Sequence, residues 1–464
     1  MSDDRTPAEE PRPELAFEGD VNLSPRRAAW QRAHLDARTR SWLAEDSAAF
    51  LHQSLSTPCF NALVRAEGPW IEDVQGRRYL DFHGNSVHHV GYGHPRVVAA
   101  VKAQLDTLPF SPRRYTNRPA IELARRLGEL APGDLKKALF CPGGTSAIGI
   151  ALKLARLATG RHKTLSLWDS FHGASLDAIS IGGEAMFRDG MEPLLPGALH
   201  AAPCDPSGCA FKCGRRCNLA CVEAIERTLA EERDIGALII ETVRSTDVQV
   251  PPPDYYPRLR AACERHGTLL ILDEIPIALG RTGRFFAFEH YGIVPDIVVL
   301  GKGLGGGVMP MAAVIARAGL DVGGHIALGH YTHEKSPLGC AAALATLDVI
   351  ADEKLVERSR DLGAAALEKL RALMARHPLI GEVRGLGLLL GLELVTDRET
   401  MAPDRTAADR VMYHALSRGL SFKVGQGNVL TLTPPLNIPA PDLDRAIAII
   451  DESLTAAARD AATP

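Results

Sequence analysis

TLLILDE (268–274) and IVVLGKGLGGGVMP (297–310) decide the fold. Each opens on a short unbroken run of Leu, Ile and Val, the pattern of a strand buried on both faces. The first run ends on two carboxylates, Asp273 and Glu274. The second ends on Lys302, set between Gly301 and Gly303. Working outward, TLSLWD (164–169), ALII (237–240) and MAAVIA after Pro310 read as further strands. IELARRLGEL (121–130), SAIGIALKLARLA (146–158) and YPRLRAACERHG (256–267) have helical spacing. Alternating strands and helices predict an α/β fold with a mostly parallel sheet flanked by helices. Ligands of such sheets gather beyond the carboxyl ends of the strands, where Asp273 and Lys302 stand.

The chain has 464 residues, too many for one ordinary core. A large domain is expected over 81–330 and a smaller α/β domain over 331–464, with 31–80 packing against the smaller one. Within the latter, CAAALATLDVI and GAAALEKLRALMARH are helical, GEVRGLGLLLGLEL (381–394) reads as a β-hairpin, and a last helix follows TLTPPLNIP. Residues 1–30 begin acidic and Pro-rich, as a disordered tail does, without the basic and apolar regions of a secretory signal. The net charge of −4 offers no basic field for nucleic acid. No apolar run is long enough to span a membrane. A cytoplasmic protein with a small-molecule partner is expected.

A lysine in a Gly-rich loop is ordinarily a surface cation. At a strand end, flanked by glycines, its amine is open to a bulky aldehyde, and burial or a nearby cation would lower its pKa and make it nucleophilic. Gly301, Gly303 and Gly306 satisfy G-x-G-x-x-G, but Gly307 and Pro310 oppose the helix a dinucleotide site needs. Asp273 could pair with a protonated pyridine nitrogen or hold Mg²⁺; the second role needs G-x-x-x-x-G-K-[ST], which this sequence lacks. FCPGGTSAIGIALKLAR (140–156) opens a helix on Gly143, Gly144, Thr145 and Ser146. That start makes either a phosphate cup or a plain capped terminus. WDSFHGAS (168–175) sets Phe171 and His172 past a strand, where a flat side chain stacks on a ring or fills core.

Taken in order, these pieces resemble the class III (ornithine/GABA-type) aminotransferase family of fold-type-I pyridoxal-phosphate (PLP) enzymes. The likeness runs from FNALVRAEGPWIEDVQGRRYLDFHGNSVHHVGYGHPRVVAAV (60–101) to TLTPPL, and GRTGRFFAFEHYGIVPDIVVLGKGLGGGVMP (280–310) is its most specific stretch. The resemblance implies that Lys302 carries PLP as a Schiff base and that Asp273 pairs with the pyridinium nitrogen. It further implies that Gly144 and Thr145 bind the phosphate and Phe171 stacks on the ring, with His172 and Glu241 also at the cofactor. Thr332 would reach the phosphate from a partner subunit, which implies a homodimer with a shared site.

The departures from the family pattern share a direction. Gly143-Gly144-Thr145-Ser146-Ala147-Ile148 replaces the usual Ser-Gly-Thr-Glu-Ala-Asn, and Pro276 replaces a Gln placed near the cofactor's phenolic oxygen. HYTHEKSP (330–337) replaces aromatic-Gly-Gly-Asn-Pro, bringing in His333, Glu334 and Lys335. Thr431 stands where many members place an arginine that grips an α-carboxylate. Losing that clamp weakens the case for an α-keto acid co-substrate. Lys335, His333, Arg244 of ETVRST, and Arg113 and Arg114 of SPRRYTN could instead hold a tetrahedral dianion, or form a solvated rim. HGNSVHHVGYGHP, LDTLPFSPRRYTN, CPGGTSAIG, WDSFHGASLDAIS and LGHYTHEK are similar to family members that eliminate ammonia from an aminophosphonate. The alternatives are an ω-aminotransferase on an amine or aminophosphonate, and a non-catalytic metal-binding protein.

The last alternative rests on the cysteines. Of nine, five crowd into an insertion at 204–221. Cys209, Cys213, Cys217 and Cys221 recur every four residues, so a helix would line their thiols along one face. Four thiolates could hold structural zinc or an Fe–S cluster. One straight helix cannot surround an ion, so the chain must turn near Gly214; otherwise the thiols are free.

Overall fold

A computed structural model describes residues 24–53, 56–205, 209–213 and 217–462. Residues 1–23 of the expected tail lie outside that range. The rest of it is ordered, which corrects the expectation of disorder to residue 30. Ser24 accepts a hydrogen bond from the Arg26 N–H and Pro25 occupies the first turn of helix α1 (Pro25–His34). Trp30 is why this segment orders. It is 5% exposed, stacks on Phe60 at 4.9 Å and donates from Nε1 to Ser417 Oγ at 3.0 Å. Helix α2 (Ala37–Ala49) follows, capped by Asp36.

Strands β1 (Leu63–Glu67), β2 (Trp70–Asp73) and β3 (Arg78–Asp81) form an antiparallel meander. Helices α3 (Pro95–Thr107) and α4 (Arg118–Leu130) lead into the central sheet. Its first strand is β4 (Leu135–Cys141), followed by α5 (Gly144–Thr159) and β5 (Lys163–Leu167). The short helices α6 (Leu176–Ile181) and α7 (Ala185–Arg188) precede β6 (Ala198–Ala201) and α8 (Ala220–Glu231). Next come β7 (Ile235–Glu241), α9 (Tyr255–His266), β8 (Leu269–Asp273), β9 (Ile297–Leu300) and β10 (Ala312–Arg317). The sheet order is β4-β10-β9-β8-β7-β5-β6. Only β10 runs against its neighbours, so the mostly parallel sheet read from the apolar runs is the one observed. Every residue of β7 is buried.

The C-terminal part contains α10 (Pro337–Asp352), α11 (Leu355–Leu373), β11 (Ile380–Leu386), β12 (Leu389–Asp397) and β13 (Ala402–Pro403). It continues with α12 (Arg405–Ser417), β14 (Leu420–Ser421), β15 (Lys423–Gly425), β16 (Val429–Leu432) and α13 (Ala440–Ala462). The hairpin expected at 381–394 is β11–β12, and β16 and β15 extend it. β14 pairs in parallel with β3, joining the N-terminal meander to this unit. Helix α10 instead packs mainly on α3 and α4. We therefore place the boundary between the units after α10, later than residue 331. Among the described residues no helix is long and apolar enough to cross a membrane.

Candidate active site

The parallel strands present their carboxyl ends along one edge, and the site assembles there. β7 and β8 are paired so that Glu241 lies beside Asp273. Asp273 is 2% exposed; its Oδ1 accepts the Ile275 N–H at 3.0 Å and its Oδ2 lies 2.8 Å from His172 Nδ1. Glu241 Oε1 accepts the Phe171 N–H at 3.0 Å, and burial pushes its carboxyl up from the usual range. The two carboxylates of the ILDEI motif part company here. Glu274 turns into the protein, where the Ala287 and Phe288 N–H groups and the Thr242 hydroxyl all donate to it.

Past β9 the chain makes a short 3₁₀ turn that begins at Lys302. Lys302 has φ 44°, a left-handed conformation that side chains with a Cβ adopt at a cost. Gly303 has no room for a side chain: a Cβ there would lie 2.4 Å from Nδ1 of the buried His89. Burial, and secondarily Lys423, lower the Lys302 pKa, while Asp273 and Glu241 pull it the other way. The amine thus lies beside two carboxylates with its pKa drawn below the ordinary lysine value. Asn85 and Ser86, which also line the cavity, have positive φ as well (44° and 58°). Three strained residues lining one cavity are what a pre-organised site looks like.

Lys302, Asp273, Glu241, Phe171, His172, Gly144 and Thr145 all line one cavity of 910 Å³. Helix α5 enters it by its N-terminus, which no side chain caps. Gly173 (φ 122°) lets its backbone close on Thr145, since a Cβ there would fall 2.4 Å from Thr145 Oγ1. Thr145 Oγ1 in turn meets Ser175 Oγ at 2.8 Å. His172 supports Asp273 edge-on through Nδ1, and its buried Nε2 has no partner. Phe171 leans on Phe187 at 4.7 Å. A recessed lysine, an oriented carboxylate, a flat aromatic and an uncapped helix start fit an aldehyde cofactor carrying a basic ring nitrogen and a phosphate.

The other candidate residues lie outside this cavity within one chain. Arg244 does not line this cavity. It is drawn to Asp247 (3.5 Å) and Glu184 (3.9 Å) behind the wall, because a buried guanidinium goes to the nearest carboxylates. Within one chain, Thr332 and His333 are exposed on a turn and Arg114 is exposed. Lys335 contributes only its carbonyl, to Asn117, and Arg113 pairs with His330 Nε2 at 2.8 Å. The cysteine set also differs. Cys204, Cys217 and Cys221 converge, and no group including Cys209 or Cys213 does so among the described residues. The reason is that α8 begins only at Ala220, so no helix spans 209–221; the turn expected at Gly214 lies outside the described residues.

Sequence reasoning missed Lys423, His83 and Asn85, which line the cavity. Lys423 sits on β15 opposite Thr431 of β16, with Ser245 and Thr246 also at the wall. No ion pair of Lys423 with a carboxylate occurs among the described residues. The available signal was Thr431, where a cation is absent; its neighbour across the strands could only be found once the strands were paired.

Fold and site together define a PLP-dependent enzyme of the aminotransferase class. The chain belongs to the class III aminotransferase family, which it matches over residues 52–454. It is 46% identical to the (R)-1-hydroxy-2-aminoethylphosphonate ammonia-lyase of Vibrio splendidus (strain 12B01), covering 96% of each chain. It is 37% identical to the 5-aminovalerate aminotransferase DavT of Pseudomonas aeruginosa, covering 84% of this chain and 92% of that one. An amine transaminase from an uncultivated Pseudomonas species, solved in its PLP-bound form, superposes with a TM-score of 0.81 at 31% identity, covering 88% and 99%. An aminotransferase of Bacillus anthracis does so with a TM-score of 0.84 at 31% identity, covering 90% and 98%.

Proposed function

We propose that this chain is an ammonia-lyase that converts (R)-1-hydroxy-2-aminoethylphosphonate to phosphonoacetaldehyde and ammonia. The observation that carries the reading is the full-length likeness to the Vibrio lyase. Two features of the site support it. Thr431 removes the expected α-carboxylate clamp, and Lys423 across from it offers a point charge among hydroxyls, suited to a tetrahedral dianion.

PLP, which Lys302, Asp273, Phe171 and the Gly144–Thr145 start of α5 would hold, supplies an electron sink for charge developing beside the substrate amine. Asp273, oriented by His172 and Ile275, holds a proton on the facing ring nitrogen. Lys423 binds the phosphonate and so orients the substrate chain. Lys302, whose pKa burial lowers, takes the proton from the amine-bearing carbon at Nζ. The same Nζ then returns a proton to the neighbouring hydroxyl as it leaves. Because a leaving group sits beside the deprotonated carbon, elimination outruns the reprotonation that amino transfer needs. The enamine left after water departs is released, tautomerises to an imine and is hydrolysed, which takes up one water and frees ammonia. The net change is loss of ammonia, with no second substrate.

We further read the enzyme as a homodimer in which Thr332 and His333 serve the partner's cavity. Support comes from the exposed apolar residues Leu108, Phe110, Tyr115 and Ile326; Phe110 packs edge-on against His333.

The deciding experiment incubates purified enzyme with the aminophosphonate, without keto acid, and follows ammonia and aldehyde. Turnover is expected. Turnover only after pyruvate or 2-oxoglutarate is added would sink the lyase reading in favour of an ω-aminotransferase, the reading that the likeness to the 5-aminovalerate enzyme favours.

A further inference from the structure

The crossover between β6 and α8 brings three cysteines together from different segments. Cys204 follows β6, Cys217 precedes α8, and Cys221 lies in its first turn. Their Sγ atoms all lie within 4.8 Å of one another, with Cys204 and Cys217 at 4.0 Å. Three thiolates bound to one zinc ion at about 2.3 Å sit roughly 3.8 Å apart in a tetrahedron. Thiolates of a four-iron cluster each bind a different iron and stand farther apart, and a two-iron cluster brings only two thiolates to one iron. The spacing fits a single ion.

A second observation points the same way. Tyr255, 0% exposed, shares a small cavity with Cys204, and its hydroxyl has no hydrogen-bond partner. A buried phenol without a partner is costly. Beside metal-bound thiolates its O–H gains an acceptor. Cys221 also sits at the N-terminus of α8, where the helix dipole favours a thiolate.

We infer that Cys204, Cys217 and Cys221 bind one zinc ion, with Tyr255 donating a hydrogen bond to the thiolate shell. The ion displaces the three thiol protons on binding and offsets two of the three negative charges they leave. The site fastens the start of the 205–219 crossover to α8. Next to Cys204, Asp205 accepts from Gln249 at 3.1 Å. Gln249 closes a turn with Arg244 that carries the cavity residues Ser245 and Thr246. The metal therefore braces one wall of the active site from outside it.

Holoenzyme purified without added metal or chelator and analysed by plasma mass spectrometry should contain about one zinc per chain. Cys204→Ser and Cys221→Ser should each lose most of it, while Cys59→Ser keeps it. Because the serine variants could misfold, wild-type protein is also stripped, reduced and given Co²⁺ alone. Thiolate-to-cobalt absorption bands should appear, and Ellman's reagent should then find three fewer reactive thiols than in the stripped protein. Protein that holds no zinc after incubation with it and dialysis, and gives no cobalt band, overturns the inference. So does iron with acid-labile sulfide. None of these readouts depends on turnover, so they stand whatever the substrate proves to be.

Discussion

Asp273 and Glu274 are chemically near-equal neighbours, and the pleat sends them to opposite fates: one to the cavity beside His172, the other to three donors in the protein. Asp273→Asn should lower kcat by about 10²–10⁴-fold with the circular dichroism spectrum unchanged. Lys302→Ala should abolish turnover and the visible band of the bound cofactor; a variant that keeps both would refute the assignment of Lys302. Lys423→Met should raise KM for the aminophosphonate about 10–100-fold, the loss of one charge-assisted contact, and affect an amine without a phosphonate little. Burial holds the Glu184 carboxyl up at about 7, against the pull of Arg244 and Lys423. Above that pH Glu184 is charged and competes with the phosphonate for Lys423, so KM should rise as pH passes 7. In Glu184→Gln that rise should flatten. Lys302 and Asp273 were legible from residue type and place on the chain. Lys423 was not, because nothing in SFKVGQG distinguishes a cavity lysine from a surface one.

Among elements, the turn after β9 does the most with the fewest residues. A left-handed lysine held by an extended Gly301 (φ −171°) and a sterically enforced Gly303 leaves the side chain one place to go. Gly303→Ala should displace His89 or the turn. The expected result is weaker PLP retention on dialysis together with a lower unfolding temperature; one without the other would separate site from scaffold. Helix α1 shows where the expectation drawn from the acidic, Pro-rich composition of the first residues extends too far along the chain. Trp30, against Phe60 and Tyr413, ties the helix down, helped by Arg27 over the Phe60 ring and by Gln31 donating to the Phe60 carbonyl. Trp30→Ala should cost about 3–5 kcal/mol in denaturant unfolding if the segment unfolds with the rest. A much smaller loss would mean α1 peels off alone.

Across the whole molecule, the cavity lies where the N-terminal meander, the central sheet and the C-terminal unit meet, and buried arginines fasten them. Arg281, wholly buried and held well below its usual pKa by that burial, donates to the carbonyls of Leu388 and Pro434. Arg384 of β11 pairs with Glu393 and reaches the carbonyl of Asp247 at 2.8 Å, gripping the turn that carries Ser245 and Thr246. The C-terminal unit thus holds in place a turn that lines the cavity. Light scattering should give twice the chain mass at micromolar concentration, and Thr332→Ala should loosen PLP if that residue serves the neighbouring cavity.

Order along the chain was enough to determine the α/β alternation, the lysine and carboxylate at two strand ends, and the Gly-rich start of helix α5. Each of these is a local matter of apolar period, strand end and helix terminus, and sequence is local. What only the tertiary structure decided was partnership between distant segments: Lys423 facing the gap left at Thr431, Arg244 withdrawn into ion pairs, Cys204 taking the place expected of Cys209 and Cys213. Strand register and crossover packing set those distances, and register is fixed by which buried faces fit together rather than by any one stretch of residues.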